Sequence, residues 1–168
     1  MIRVLVSACL LGEKVRYNGA DAASGSRILR DWLSEGRIVP FCPEVAGGLG
    51  VPRPAAEIHG IDGRSVLDGT GRVLTGAGDD VTAAFLRGAE LALQAARSHG
   101  VRLAILKEGS PSCGSGFIHD GSFTGQRKVA PGVTSALLER HGIQVFNEAA
   151  LEQAAACLRT LERSEGRA

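Results

Sequence analysis

The chain has 168 residues, a length suited to one domain with one hydrophobic core. Apolar residues make up 44% and charged residues 22%, the balance of an ordinary water-soluble protein, and with only 4% aromatics the core must be aliphatic. A net charge of +1 from dispersed basic residues argues against a nucleic-acid surface, and no apolar run approaches the roughly 20 residues that a membrane helix needs.

The opening MIRVLVSACLLG holds one basic residue and a short apolar stretch that ends at Gly-Glu-Lys. It reads as a buried strand over residues 2–7 and not as a leader peptide, which predicts a cytoplasmic protein. A loop through Asn18-Gly19 leads to a helix expected over 22–34, with Ile28, Leu29, Trp32 and Leu33 on one face and Gly36 as its stop. Residues 37–41 (RIVPF) read as a second strand, 47–56 as a loop, and 57–74 as short strands or a hairpin around Gly60–Gly63 and Gly69–Gly71. Asp79 or Asp80 is placed to cap a long helix through Ser98. A third strand follows at 101–106 (VRLAIL), then a Gly- and Ser-rich loop at 108–117. A helix is expected at 133–141, a fourth strand at 143–146 and a final helix at 148–163. Strands alternating with helices predict an α/β fold: a Rossmann-like parallel sheet of about four core strands flanked by helices, one domain over 1–168.

Four cysteines stand at 9, 42, 113 and 157. In a chain that is not a small cysteine-dense secreted domain, they read as ligands, nucleophiles or core residues before disulfides. Cys9 follows the first predicted strand, Cys42 the second, and Cys113 lies in the loop after the third. Ligands of an open parallel sheet gather at the carboxyl ends of its strands, so these three thiols should converge. No C-x-x-C is present, and shared placement carries the argument. A structural zinc site usually takes four protein ligands, as does a cubane iron–sulfur cluster. Three thiolates leave one iron free to act as a Lewis acid toward a substrate atom, a catalytic arrangement. Small buried cysteines at strand ends can also be inert, and Cys157, among alanines of the last predicted helix, reads as core.

Glu44 lies two residues beyond Cys42 behind a stiffening proline, placed to position or deprotonate water, or simply to cap or pair. The loop Glu108–Phe117 offers hydroxyls and free N–H groups to a substrate or to cluster sulfides. It is not a Walker loop, since no Gly-Lys-Ser/Thr follows its glycines. Arg16, Arg53 and Lys107 can supply positive charge or form ordinary ion pairs. The histidines show no ligand spacing: His99 and His141 each precede a helix-ending Gly, and His119 is expected in a turn.

These blocks resemble the 2-thiouracil desulfidase family, long known as a bacterial domain of unknown function. The likeness runs through Ser7-Ala8-Cys9-Leu10-Leu11-Gly12, Val15-Arg16-Tyr17-Asn18-Gly19, Cys42-Pro43-Glu44-Val45, Gly47-Gly48-Leu49 and Pro52-Arg53. It continues through Lys107-Glu108-Gly109-Ser110-Pro111-Ser112-Cys113-Gly114 and Asp120-Gly121-Ser122-Phe123, covering about residues 2–148. The resemblance implies a 4Fe–4S cluster held by Cys9, Cys42 and Cys113, and hydrolytic, non-redox removal of sulfur from a thiolated nucleobase. It implies functional roles for Glu44 and for a serine before Cys113, for which Ser110 is favoured over Ser112. The expected partner is a small thiolated pyrimidine, with no membrane and no nucleic-acid polymer. Rival expectations are desulfuration of 4-thiouracil or thiouridine monophosphate, an iron–sulfur sensor without catalysis, and a structural zinc site completed by Cys157.

Overall fold

The computed structural model describes residues 1–167. Strands β1 (Val4–Ser7), β2 (Ile38–Phe41), β5 (Leu103–Leu106) and β8 (Gln144–Asn147) form one parallel sheet in the order β2-β1-β5-β8. Two antiparallel pairs, β3 (Ala56–His59) with β4 (Arg72–Thr75) and β6 (Ile118–His119) with β7 (Arg127–Lys128), lie outside it. The helices are α1 (Arg27–Ser34), α2 (Pro43–Ala46), α3 (Gly63–Leu67), α4 (Thr82–Ser98), α5 (Val133–Arg140) and α6 (Leu151–Glu165).

The continuous apolar run of β1 is explained by burial on both faces, because successive side chains alternate. Leu5 joins a core with Phe85, Ala89 and Leu93 of α4 and Leu137 and Leu138 of α5. Val4 and Val6 join an opposite core with Leu29 and Trp32 of α1 and Leu151 and Leu158 of α6. After β2 the chain crosses to the other side of β1 and continues as β5, so the direction of winding reverses between β1 and β5. The carboxyl ends of β1, β2 and β5 therefore border one crevice.

The structure departs from the sequence expectations where side chains or local turns decide. No loop directly follows β1; a 3₁₀ turn, Ala8–Leu11, carries Cys9 and closes on Gly12 at φ +97°. The first helix starts at Arg27 and not near 22, the stretch before it being extended. The 57–74 segment is a hairpin, but α3 fills its connection, started by a capping box between Asp62 and Ser65. Asp80 receives the Thr82 N–H at 2.9 Å ahead of α4, whose N-cap position is Val81. His119 sits on β6 and not in a turn.

Helices α2 and α4 touch backbone to backbone. A Cβ on Gly88 would stand 2.1 Å from the Pro43 carbonyl oxygen, and one on Gly47 2.1 Å from that of Ala84. Alanine in a helix normally gains about 1 kcal/mol over glycine. Here the clash is with backbone, which cannot swing aside, and overpacking costs about 1–3 kcal/mol. Gly88→Ala is expected to lower the denaturant midpoint and to shift α2; an unchanged or raised midpoint would contradict this contact.

Candidate active site

Cys9, Cys42 and Cys113 line one cavity of about 460 Å³ at the crevice, together with Glu44 and Ser110. That volume suits a small organic ligand, whose sites run to roughly 300–1,000 Å³. Cys157, a residue of α6, packs at the edge of the core and does not line the cavity. All four cysteines are free thiols.

Each ligand candidate is fixed by a different device. Cys9 rides the 3₁₀ turn after β1, its carbonyl accepting the N–H groups of Gly12 and Ala22. Cys42 sits at the N-cap of α2, its thiol directed at the Val15 carbonyl 4.0 Å away. Cys113 lies in a loop held from two sides. From below, Glu108 gathers the N–H groups of Ser115, Gly116 and Phe117 at 2.9–3.2 Å, and Asn147 Nδ2 donates to it as well. From above, the first N–H groups of α5, which lack helical partners, donate to loop carbonyls. Val133 meets Pro111 at 2.9 Å and Thr134 meets Ser112 at 2.9 Å, while Ser135 Oγ donates to the Cys113 carbonyl at 2.8 Å. Ser7, at the end of β1, leans its hydroxyl on Cys113 Sγ at 3.8 Å and accepts the Lys107 N–H at 2.9 Å.

Burial pushes all three thiols above the ordinary cysteine range. Cys9 is pushed up to about 11, first by burial and then by Cys42, against the pull of Arg16 and Lys107. Cys42 is raised by burial, opposed by the amide of Val45. Cys113 is raised furthest, by burial, then by Glu44, with Cys42 and Cys9 adding to it. The three sulfurs thus sense one another's charge, and a cationic centre among them would offset that repulsion. Among the described residues no three His, Cys, Asp or Glu side chains come close enough to hold a single metal ion. Three soft thiol donors around one cavity, with Cys157 away from it, fit a polynuclear iron–sulfur cluster with one open iron better than a closed four-ligand zinc site. Cys157 offers no fourth ligand, which removes the basis of the zinc expectation.

Glu44 and Arg53 form an ion pair in the wall. Arg53 Nε donates to Glu44 Oε2 at 2.8 Å, Nη2 donates to the same oxygen, and both side chains are largely buried. Glu44 Oε1 is free of Arg53 and accepts the hydroxyl of Ser110, a fellow cavity-lining residue, at 3.1 Å. Ser110 Oγ in turn accepts the N–H groups of Ser112 (3.1 Å) and Cys113 (3.2 Å), so its one donor and both lone pairs are engaged. Ser112 is fully buried, bonded to Thr134 at 2.7 Å, and does not reach the cavity. Lys107 pairs with Glu148 at 2.8 Å. Arg16 and Arg127 line the cavity, and neither has an ion-pair partner among the described residues. The roles of Ser7, Glu108 and the far wall of β3 and β6 were not readable in advance. Only the acidic Glu108 opening a glycine-rich loop hinted at the carboxylate cradle.

Fold and site together define a doubly wound α/β protein with a three-thiol centre and a carboxylate–hydroxyl pair beside it. The family model of 2-thiouracil desulfurase matches residues 4–150, and the chain belongs to that family. It is 46% identical over 145 residues to the uncharacterized protein YbbK of Bacillus subtilis (strain 168), covering 86% of this chain and 95% of that one. It is also similar to a solved structure of the 4Fe–4S-dependent thiouracil desulfidase TudS. There the identity is 50%, the TM-score 0.88, and the match covers 95% of this chain and 99% of the other.

Proposed function

We propose that this chain is a 4Fe–4S-dependent desulfidase that hydrolyses a thiolated pyrimidine to its oxo form and hydrogen sulfide. The net reaction exchanges a C=S for a C=O: water supplies the oxygen and both protons of the released sulfide, and no electrons are transferred. The observation that carries this reading is the meeting of three free thiols with the Glu44–Ser110 pair in one cavity. Membership of the family and the likeness to TudS support it.

Cys9, Cys42 and Cys113 would hold the cluster. When bound, it supplies a Lewis-acidic iron without a protein ligand that can polarise the C=S bond. Glu44 Oε1 is the acceptor for a proton of the attacking water. Arg53, fixed on Oε2, holds that carboxylate in place and leaves Oε1 facing the reaction. Ser110 must release Glu44 before it can donate to substrate, so its hydroxyl works as a switchable donor between the two. Phe41, Leu49 and Phe85 supply an apolar wall that limits bulk water.

Arg16 and Arg127, neither of them ion-paired among the described residues and the latter stacked on the Phe117 ring at 4.3 Å, favour a second reading of the substrate, in which the base carries a phosphate as in a thiouridine monophosphate. The test is anaerobic purification with iron and sulfide counted per chain, followed by sulfide release from 2-thiouracil, 4-thiouracil and their nucleoside monophosphates. About four iron and four sulfide with release from any of these is expected. A full cluster with no release would sink the enzyme reading in favour of a sensor. Faster turnover of the monophosphate would select the second reading of the substrate.

A further inference from the structure

Glu57 is a buried carboxylate for which the reaction described above has no use. It projects from β3 on the wall made by the outlying hairpins, lines the same cavity as the three thiols, and is only 9% exposed. None of the ion pairs among the described residues involves it. Its two oxygens are used unequally. Oε1 accepts the N–H of Gly121 at 3.0 Å and of Phe123 at 3.2 Å, holding a turn in which Gly121 (φ +94°) and Phe123 (φ +56°) both have left-handed backbone. Oε2 takes no hydrogen bond from the described residues. It is also not sealed, since the one sealed polar side-chain atom without a partner among the described residues is His119 Nδ1; Oε2 thus keeps accessible surface, on a residue that lines the cavity. A buried charge that is neither paired nor fully hydrogen-bonded is costly to keep. An oxygen left with open lone pairs on a binding cavity is an acceptor waiting for a donor.

We infer that Glu57 is a specificity-determining residue of the proposed desulfidase: its Oε2 accepts the N3–H of the thiolated pyrimidine. This rests on the reading of the site as a desulfidase. N3–H is the donor that 2-thiouracil, 4-thiouracil and their nucleotides share, and N3 adjoins both C2 and C4. A carboxylate fixed on N3–H therefore orients either thiocarbonyl without choosing between base and nucleotide. It also excludes cytosine-type rings, whose N3 carries a lone pair that would face the carboxylate oxygen.

Glu57→Gln separates recognition from support of the turn. The amide oxygen can take over Oε1 and keep the Gly121 and Phe123 N–H groups, which leaves the NH₂ in the place of Oε2. The cavity then presents a donor where it had an acceptor. The experiment measures Kd and sulfide release for 2-thiouracil and 2-thiocytosine with cluster-loaded wild type and Glu57→Gln. Wild type is expected to prefer 2-thiouracil, and the substitution to shift the ratio of the two affinities toward 2-thiocytosine by about ten- to a hundredfold. Iron content and unfolding midpoint are expected to stay close to those of wild type. The same affinity ratio in both proteins would overturn the assignment, as would equal binding of the two bases by wild type alone, which needs no variant to fold. A wild type that shows the predicted discrimination but releases no sulfide would leave Glu57 as the recognition group and sink the desulfidase reading instead.

Discussion

Cys113→Ala is expected to yield a folded chain that retains no iron after anaerobic reconstitution and releases sulfide only at background rate. The substitution removes one sulfur from a site that is 6% exposed. The cavity left is small, so the fold should lose only about 1 kcal/mol. The loop remains tied by Glu108 and by the first turn of α5, neither of which involves the Cys113 side chain apart from the weak contact of Ser7. Two thiols cannot replace three: the remaining pair leaves a second iron without a protein ligand, and affinity depends on all donors together. Cys157→Ala is the matched control and should keep both iron and turnover, because Cys157 lies away from the cavity. Iron and sulfide counts with visible charge-transfer absorbance decide it. Full iron in Cys113→Ala, or iron loss in Cys157→Ala, would overturn the ligand assignment.

The second large effect is expected at Glu44. Glu44→Gln removes the proposed proton acceptor while keeping the shape of the side chain, and kcat should fall about 10²- to 10⁴-fold with iron content unchanged. Stability also enters, because Glu44 is the partner of a nearly buried Arg53. Breaking a buried pair by removing one charge can cost about 3–5 kcal/mol. Glutamine retains an oxygen for the Arg53 guanidinium, and Arg53 Nη1 keeps the Gly50 carbonyl at 3.1 Å, so the loss should fall well short of that. The unfolding midpoint measured on the same sample separates the two effects. A collapse of kcat at near-normal midpoint and iron content marks chemistry. A parallel loss of all three would make Glu44 a structural ion-pair residue only.

The four sheet strands were legible because each is a short apolar run with a single possible fate, and their ends came within two residues of the structure. That alone placed Cys9, Cys42 and Cys113 at one edge. Short elements stabilised by specific contacts were not legible. Helix α2 is four residues long and exists because Pro43 starts it and Gly47 and Gly88 let it lie against α4. The β6–β7 pair is two residues per strand, too short for any periodicity. Glu44 stood out by closeness to Cys42 in the chain, and Ser110 through the family resemblance, since Ser112 is nearer to Cys113. Glu57 and Glu108 did not, because what marks them is which backbone N–H groups they collect from segments far away or bent back upon themselves. An unpaired oxygen on Glu57 has no signature in a string of letters.

The two-sided hold on the loop at 109–117 bears on how the chain meets its cofactor. Glu108, just after β5, and Asn147 of β8 brace it on one side and the first turn of α5 on the other, so the backbone around Cys113 is held through three separate elements. Insertion of the proposed cluster would then be a ligand exchange at a braced surface, with much of the conformational entropy of the loop already surrendered during folding. On that reading the cluster would be delivered by a donor that reaches the crevice of the folded chain.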